Sequence, residues 1–265
     1  MVQGTRQRRA KATDFAGGVS DGSYGAAGLD LRRDGATGRK GWFFLDEEVV
    51  CLGTGIAGDG VRTSVDQRLA EGEPVMPSGS SLPGVQPMEA ASWILNGTMG
   101  YVFEQPAEVS AGTQEQTGSW KEVYAAGSAA PVTRNAFSVW IDDAAATGRY
   151  AYTLVPGATA EKLRAYATSP RVEILCNTAE VQAVRDGTAG VTEALFYAAA
   201  TLDAPGLSIH ADGPCALILR RDGIYAADPT QKEKAVTLTI NGKTFPVPLP
   251  QGEMAGSSVR APGSL

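Results

Sequence analysis

Histidine is nearly missing from these 265 residues: His210 is the single instance. The three cysteines, Cys51, Cys176 and Cys215, are far apart and form no CxxC pair. A structural zinc site draws closely spaced Cys and His ligands, so the sequence offers no metal site. Basic side chains are also in deficit, 23 Lys+Arg against 29 Asp+Glu, for a net charge of −6. Nucleic-acid binders carry a basic patch or stripe, and only Arg6 to Lys11 ("RQRRAK") has that look, so no nucleic-acid partner is expected. No apolar run approaches the roughly 18 residues of a membrane span, and the polar start lacks the apolar stretch of a secretory signal. Neither a membrane partner nor a leader is therefore read from the chain.

Glycine and proline are plentiful, at 32 and 15, and the apolar residues fall into short runs. That pattern predicts many strands and tight turns, an all-β fold. "SWILNGTMGYVF" sets Asn96-Gly97 between two apolar runs, a hairpin signal. "AVTLTINGKTFPVPLP" is the clearest hairpin: Val236, Leu238 and Ile240 share one face, Asn241-Gly242 turn, and Phe245, Val247 and Leu249 return. Pro246 and Pro248 place that return strand at a sheet edge. "AFSVWIDD" and "RYAYTLVPG" alternate as strands, and "RVEILCN", "ALFYAAATL", "GLSIHAD", "CALILRRDG" and "IYAAD" continue the series. "TAEKLRAYATSP" is the best helix, capped by Thr159 and stopped before Pro170. The tail "GEMAGSSVRAPGSL" reads as disordered or truncated.

Candidate chemistry is thin. Asp46, Glu47 and Glu48 sit between apolar runs in "GWFFLDEEVVCLGTGI". Acids at a strand junction are expected to be a solvated turn. A catalytic pair would need other polar groups converging on it. "GGVSDG" (17–22) lacks the Lys-Ser/Thr of a phosphate loop and reads as a tight turn between strands. No GxSxG elbow occurs. The cysteines each lie in an apolar run and read as buried small hydrophobes, though one disulfide would also be compatible with the pattern. Tyr24, Tyr101, Tyr150, Tyr152 and Tyr166 are expected to pack with their hydroxyls at the rim. His210 has no histidine partner and reads as structural. The residues by themselves thus supply no catalytic, cofactor-binding or metal-binding position.

Six blocks in order, "FAGGVSDGSYGAAGLDL", "GWFFLDEEVVCLGTGI", "GSW", "YAYTLVPGAT", "AYATSPRVEILCNTAEVQAVRD" and "DGIYAADPTQ", resemble the family-eight polysaccharide lyases. That family includes hyaluronate, chondroitin AC and xanthan lyases. The resemblance implies a galactose mutarotase-like antiparallel β-supersandwich over residues 1–170 and a small C-terminal β-sandwich with a flexible tail over 171–265. It also implies an extracellular bacterial protein without cofactor, acting on acidic, uronate-containing polysaccharide by β-elimination. In the family the catalytic Asn, His, Tyr and Arg come from an N-terminal helical toroid, helped by a Glu early in the β region. None of those motifs occurs here, although "QGT" (3–5) resembles a segment just inside the family's central domain. The resemblance therefore implies a β portion that supports the cleft, binds glycan and has a helical toroid as partner, and no catalytic residue carries over. "WILNGTMGYVF" stands where the family has a His-Asp pair before "GVGYVF", and Asp143 where it often has His. The alternative is a free-standing, non-catalytic carbohydrate-binding or structural β module. A mutarotase-like enzyme would need its own acid–base groups, typically with histidine.

Overall fold

The computed structural model describes residues 13–79, 82, 84–141 and 148–262. The expectations placed on Gln3–Thr5, Arg6–Lys11 and Asp143 lie outside them. Within them the fold is all-β, with strands in three antiparallel sheets.

The first sheet holds β1 (Ala16–Ser20), β2 (Gly25–Arg33), β3 (Ala36–Phe44), β4 (Val49–Ala57), β5 (Thr63–Leu69), β6 (Gln86–Asn96), β7 (Met99–Gly118), β8 (Val132–Ile141) and β9 (Arg149–Pro156), in the order β1-β2-β3-β4-β9-β7-β8-β5 with β6 on β7. β7 is the joint. Its first residues, Met99–Phe103, pair with β9, and Val109–Gly118 pair with β8. Tyr101, Phe103, Tyr150 and Tyr152 from before the joint then share a core with Val109, Phe137, Val139 and Ile141 from beyond it. One long strand thus lets a single sheet fold over itself. Gly112 sits in β7 at φ 150°, where an added Cβ would lie 1.8 Å from the Gly84 carbonyl oxygen, an approach that only glycine permits.

The helix Ala160–Thr168 follows β9, and the Thr159 side chain accepts the Lys162 N–H at 3.1 Å, as an N-cap should. Leu163 docks the helix beside Trp93, Val102 and Val155.

The second sheet runs β10 (Val172–Asn177), β11 (Val181–Asp186), β12 (Val191–Phe196), β15 (Cys215–Arg220), β16 (Gly223–Ala227) and β19 (Val259–Arg260). The third runs β13 (Ala200–Ala204), β14 (Leu207–Ala211), β17 (Ala235–Ile240) and β18 (Lys243–Pro248). The second sheet is the middle layer. On one face Val184, Leu195, Ala216 and Ile218 pack against Phe43, Val50 and Leu52 of the first sheet. On the other, Ala194, Phe196, Leu217 and Ala226 pack against Leu202, Ile209, Leu238 and Val247 of the third. Covered on both sides, β12 is buried along its whole length, which is why its sequence does not alternate.

Both predicted hairpins form. Asn241 and Gly242 adopt φ 47° and 82° between Ile240 and Lys243, a primed two-residue turn. In the other, Asn96 pairs with Met99, so the loop is Gly97-Thr98, one residue later than expected. β18, with Pro246 and Pro248, lies at a sheet edge. Residues 252–262 of the tail, expected to be disordered or truncated, instead form a 3-10 turn at Gly252–Met254 and pair β19 with β16. Buried Ala261 anchors them in the apolar core.

Candidate functional site

The three acids join β3 to β4, and the structure splits them. Asp46 and Glu47 are exposed, and Glu47 meets Lys162 at 2.8 Å. Glu48, expected to be solvated like its neighbours, is only 3 % exposed. The turn aims its side chain at the second sheet. Arg171 donates from Nε (3.1 Å) and Nη2 (3.0 Å) to its two oxygens. The same guanidinium reaches Asp186 Oδ2 at 3.3 Å. Asp186 is fully buried, and its Oδ1 accepts the Thr188 and Ala189 N–H groups. Burial raises the Glu48 carboxyl above its ordinary range, with Arg171 opposing and Asp186 reinforcing the shift.

A second ion pair lies on the same face. Arg220 Nη1 donates to Asp21 Oδ2 at 2.7 Å, and its guanidinium lies over the Tyr24 ring. Asp21 also accepts the Ser23 and Tyr24 N–H groups, so "GGVSDG" ends in a turn between β1 and β2, as read. Burial works against the Asp21 carboxylate, yet the Tyr24 amide and Arg220 outweigh it and hold the group below its usual value. A shallow depression of about 450 Å³ opens there, lined among others by Ser20, Tyr24, Phe44 and Ser258. Further along the layer, the Tyr197 hydroxyl donates to Gln182 Oε1 at 2.7 Å. Gln182 donates to Asn177 Oδ1, and Asn177 donates to the Gly53 and Tyr150 carbonyls.

These groups form a polar seam between the first and second sheets, with salt-bridged and hydrogen-bonded members. Arg171, Asp186, Arg220 and Gln182 are the residues that sequence reasoning missed. Glu48 and Arg171 are 123 positions apart, and Asp21 and Arg220 are 199 apart. No local pattern links residues so distant in the chain.

The remaining candidates do not converge on one point. His210 is exposed on β14 in the third sheet, with Nδ1 2.9 Å from Thr201 Oγ1. Tyr101, Tyr150 and Tyr152 are buried rather than rim residues, and the Tyr101 hydroxyl donates to Asp66. Burial raises the phenols of Tyr24, Tyr101, Tyr150, Tyr152 and Tyr166. A general base works best with a pKa near the operating pH, so all five are shifted the wrong way for that role. Cys51 and Cys215 are buried, with the Cys51 thiol pushed up to about 12 by burial. Cys176, expected to be buried, is half-exposed beside Thr178. All three are free thiols. Trp120 and Tyr124, at the outer end of the β7–β8 arm, are about two-thirds exposed.

The fold and seam define a class: a β-sheet folded into a super-sandwich, followed in sequence by a smaller β-sandwich that packs against its face. Residues 2–167 match polysaccharide lyase family 8, super-sandwich domain, and residues 173–237 match polysaccharide lyase family 8, C-terminal beta-sandwich domain. The chain belongs to polysaccharide lyase family 8. It is 37% identical to a chondroitinase-AC of Pedobacter heparinus over 94% of this chain and 38% of that protein. It is 35% identical to a hyaluronate lyase of Thermasporomyces composti over 86% of this chain and 31% of that protein. A solved chondroitinase AC lyase, described in oligosaccharide complexes, superposes with a TM-score of 0.86 at 34% identity, covering 93% of this chain and 39% of that one. The chain thus spans about two fifths or less of the length of these relatives.

Proposed function

We propose that this chain is the β portion of an extracellular polysaccharide lyase that cleaves uronate-containing polysaccharide, such as hyaluronan, chondroitin or xanthan, by β-elimination. Its role is to wall and support the substrate cleft and to bind glycan. The base, the acid and the groups that neutralise the uronate come from a helical domain outside these residues. The division falls near residue 170, between a super-sandwich domain and a C-terminal sandwich domain. The observation that carries this reading is the two family domains matched in order along the chain. The chemistry fits it. Removing the proton at C5 of a uronate needs a base and an acid within hydrogen-bond reach, and stabilisation of the enolate. Among the described residues the single histidine is remote from the seam, and the five candidate tyrosines are shifted upward.

The test is the ultraviolet absorbance of the unsaturated uronate product. The isolated chain should give none with hyaluronan, chondroitin or xanthan, and adding a separately expressed helical domain of a family relative should restore it. Robust turnover by the isolated chain, abolished by a Tyr→Phe change within it, would overturn the assignment.

A further inference from the structure

Glu193 is a charged residue type in a place built for apolar ones. It lies in the middle of β12 and is fully buried; neither carboxyl oxygen has a partner within good hydrogen-bond geometry, and the Gly25 N–H is its one nearby donor. Its neighbours across the sheet are Val184 on β11 and Ile218 on β15. Val184 and Ile218 pack in the core shared with the first sheet, and Gly25 of β2 and Asp21 of the β1–β2 turn lie beside Glu193. The titratable and charged groups around it are few. Asp21 and Tyr24 come from the covering turn; Asp186 of β11, Arg220 of β15 and Tyr225 of β16 share its sheet face. Arg220 is already paired with Asp21, and Asp186 with Arg171. Among the described residues no cation pairs with Glu193, and Asp21 adds a like charge.

We propose that Glu193 is held as an uncharged carboxylic acid in the seam, so that opening of the contact between the first and second sheets is coupled to loss of its proton. An ionised carboxylate without a partner is far costlier to bury than the neutral acid. The carboxyl is accordingly pushed up to about 9 from an ordinary 4.5, chiefly by burial; the Gly25 N–H opposes the shift and Asp21 adds to it. The sign follows. Between those two values the folded chain binds one proton that the unfolded chain has lost, so stability falls as pH rises through this window. Above about 9 the folded group is also ionised and the fall stops.

Linkage sets the size: one proton changes the folding equilibrium constant about tenfold per pH unit. The experiment compares urea unfolding of the full chain and of Glu193→Gln at intervals from pH 6 to pH 8.5. The wild-type folding constant should fall more steeply than that of E193Q, by about tenfold per unit. In parallel, amide exchange in β2 and β12 should quicken with pH in the wild type beyond the change seen in E193Q. A second measurement reads the group itself: with 13C-labelled glutamate, the Cδ resonance that is missing from E193Q should titrate several pH units above an ordinary glutamate. Parallel pH–stability lines, or a Glu193 resonance that titrates in the ordinary range, would overturn the proposal.

Discussion

Replacing Arg171 with Ala tests the seam directly. The guanidinium is shared by two buried carboxylates, Glu48 and Asp186, which are 3 % and 0 % exposed. Removing one partner of a buried ion pair costs about 3–5 kcal/mol, because the other charge stays buried without compensation. Arg171 itself is 30 % exposed, so water can reach part of the vacated space. Asp186 also keeps its two backbone donors. Both points argue for the lower end, about 3 kcal/mol. Urea denaturation at pH 7 would show this as a lower midpoint at an unchanged slope. The pH dependence adds a second check. The Glu48 carboxyl is raised by burial and held back by Arg171. Without Arg171 it rises further, so the folded chain holds that proton to higher pH. The cost of R171A should therefore be smallest in acid, where Glu48 is neutral, and reach full size as pH rises through the folded value. Asp46→Asn and Glu47→Gln are the controls, since both side chains are exposed. They should leave the midpoint within replicate scatter. If R171A does no more than these controls, the seam does not hold the sheets together.

Gly112→Ala should destabilise by about 1–3 kcal/mol through overpacking, since the new methyl meets the Gly84 backbone; a midpoint equal to wild type would show that the strand joint relaxes freely. Thr159→Ala removes the cap on Lys162 N–H and should cost about 1 kcal/mol, read from the same urea curves, while Thr159→Ser should recover most of it.

Local chemistry was enough to read the strands, the capped helix and the edge position of β18. A hairpin needs only alternating apolar residues and a turn that tolerates positive φ, and "TINGKTF" carries both within seven residues.

Tertiary structure decided the rest. Asp46, Glu47 and Glu48 are consecutive acids that no sequence rule separates, yet only Glu48 points into the protein. The difference comes from a strand 123 residues later that delivers Arg171 to it. Glu193 falls outside every run and motif that the sequence singles out. It is buried because β12 is the inside strand of a middle layer, covered by one sheet on each face. Sequence periodicity records which residues share a face. The desolvation that fixes a carboxyl's charge depends on what covers that face, and here the cover comes from strands distant in the chain.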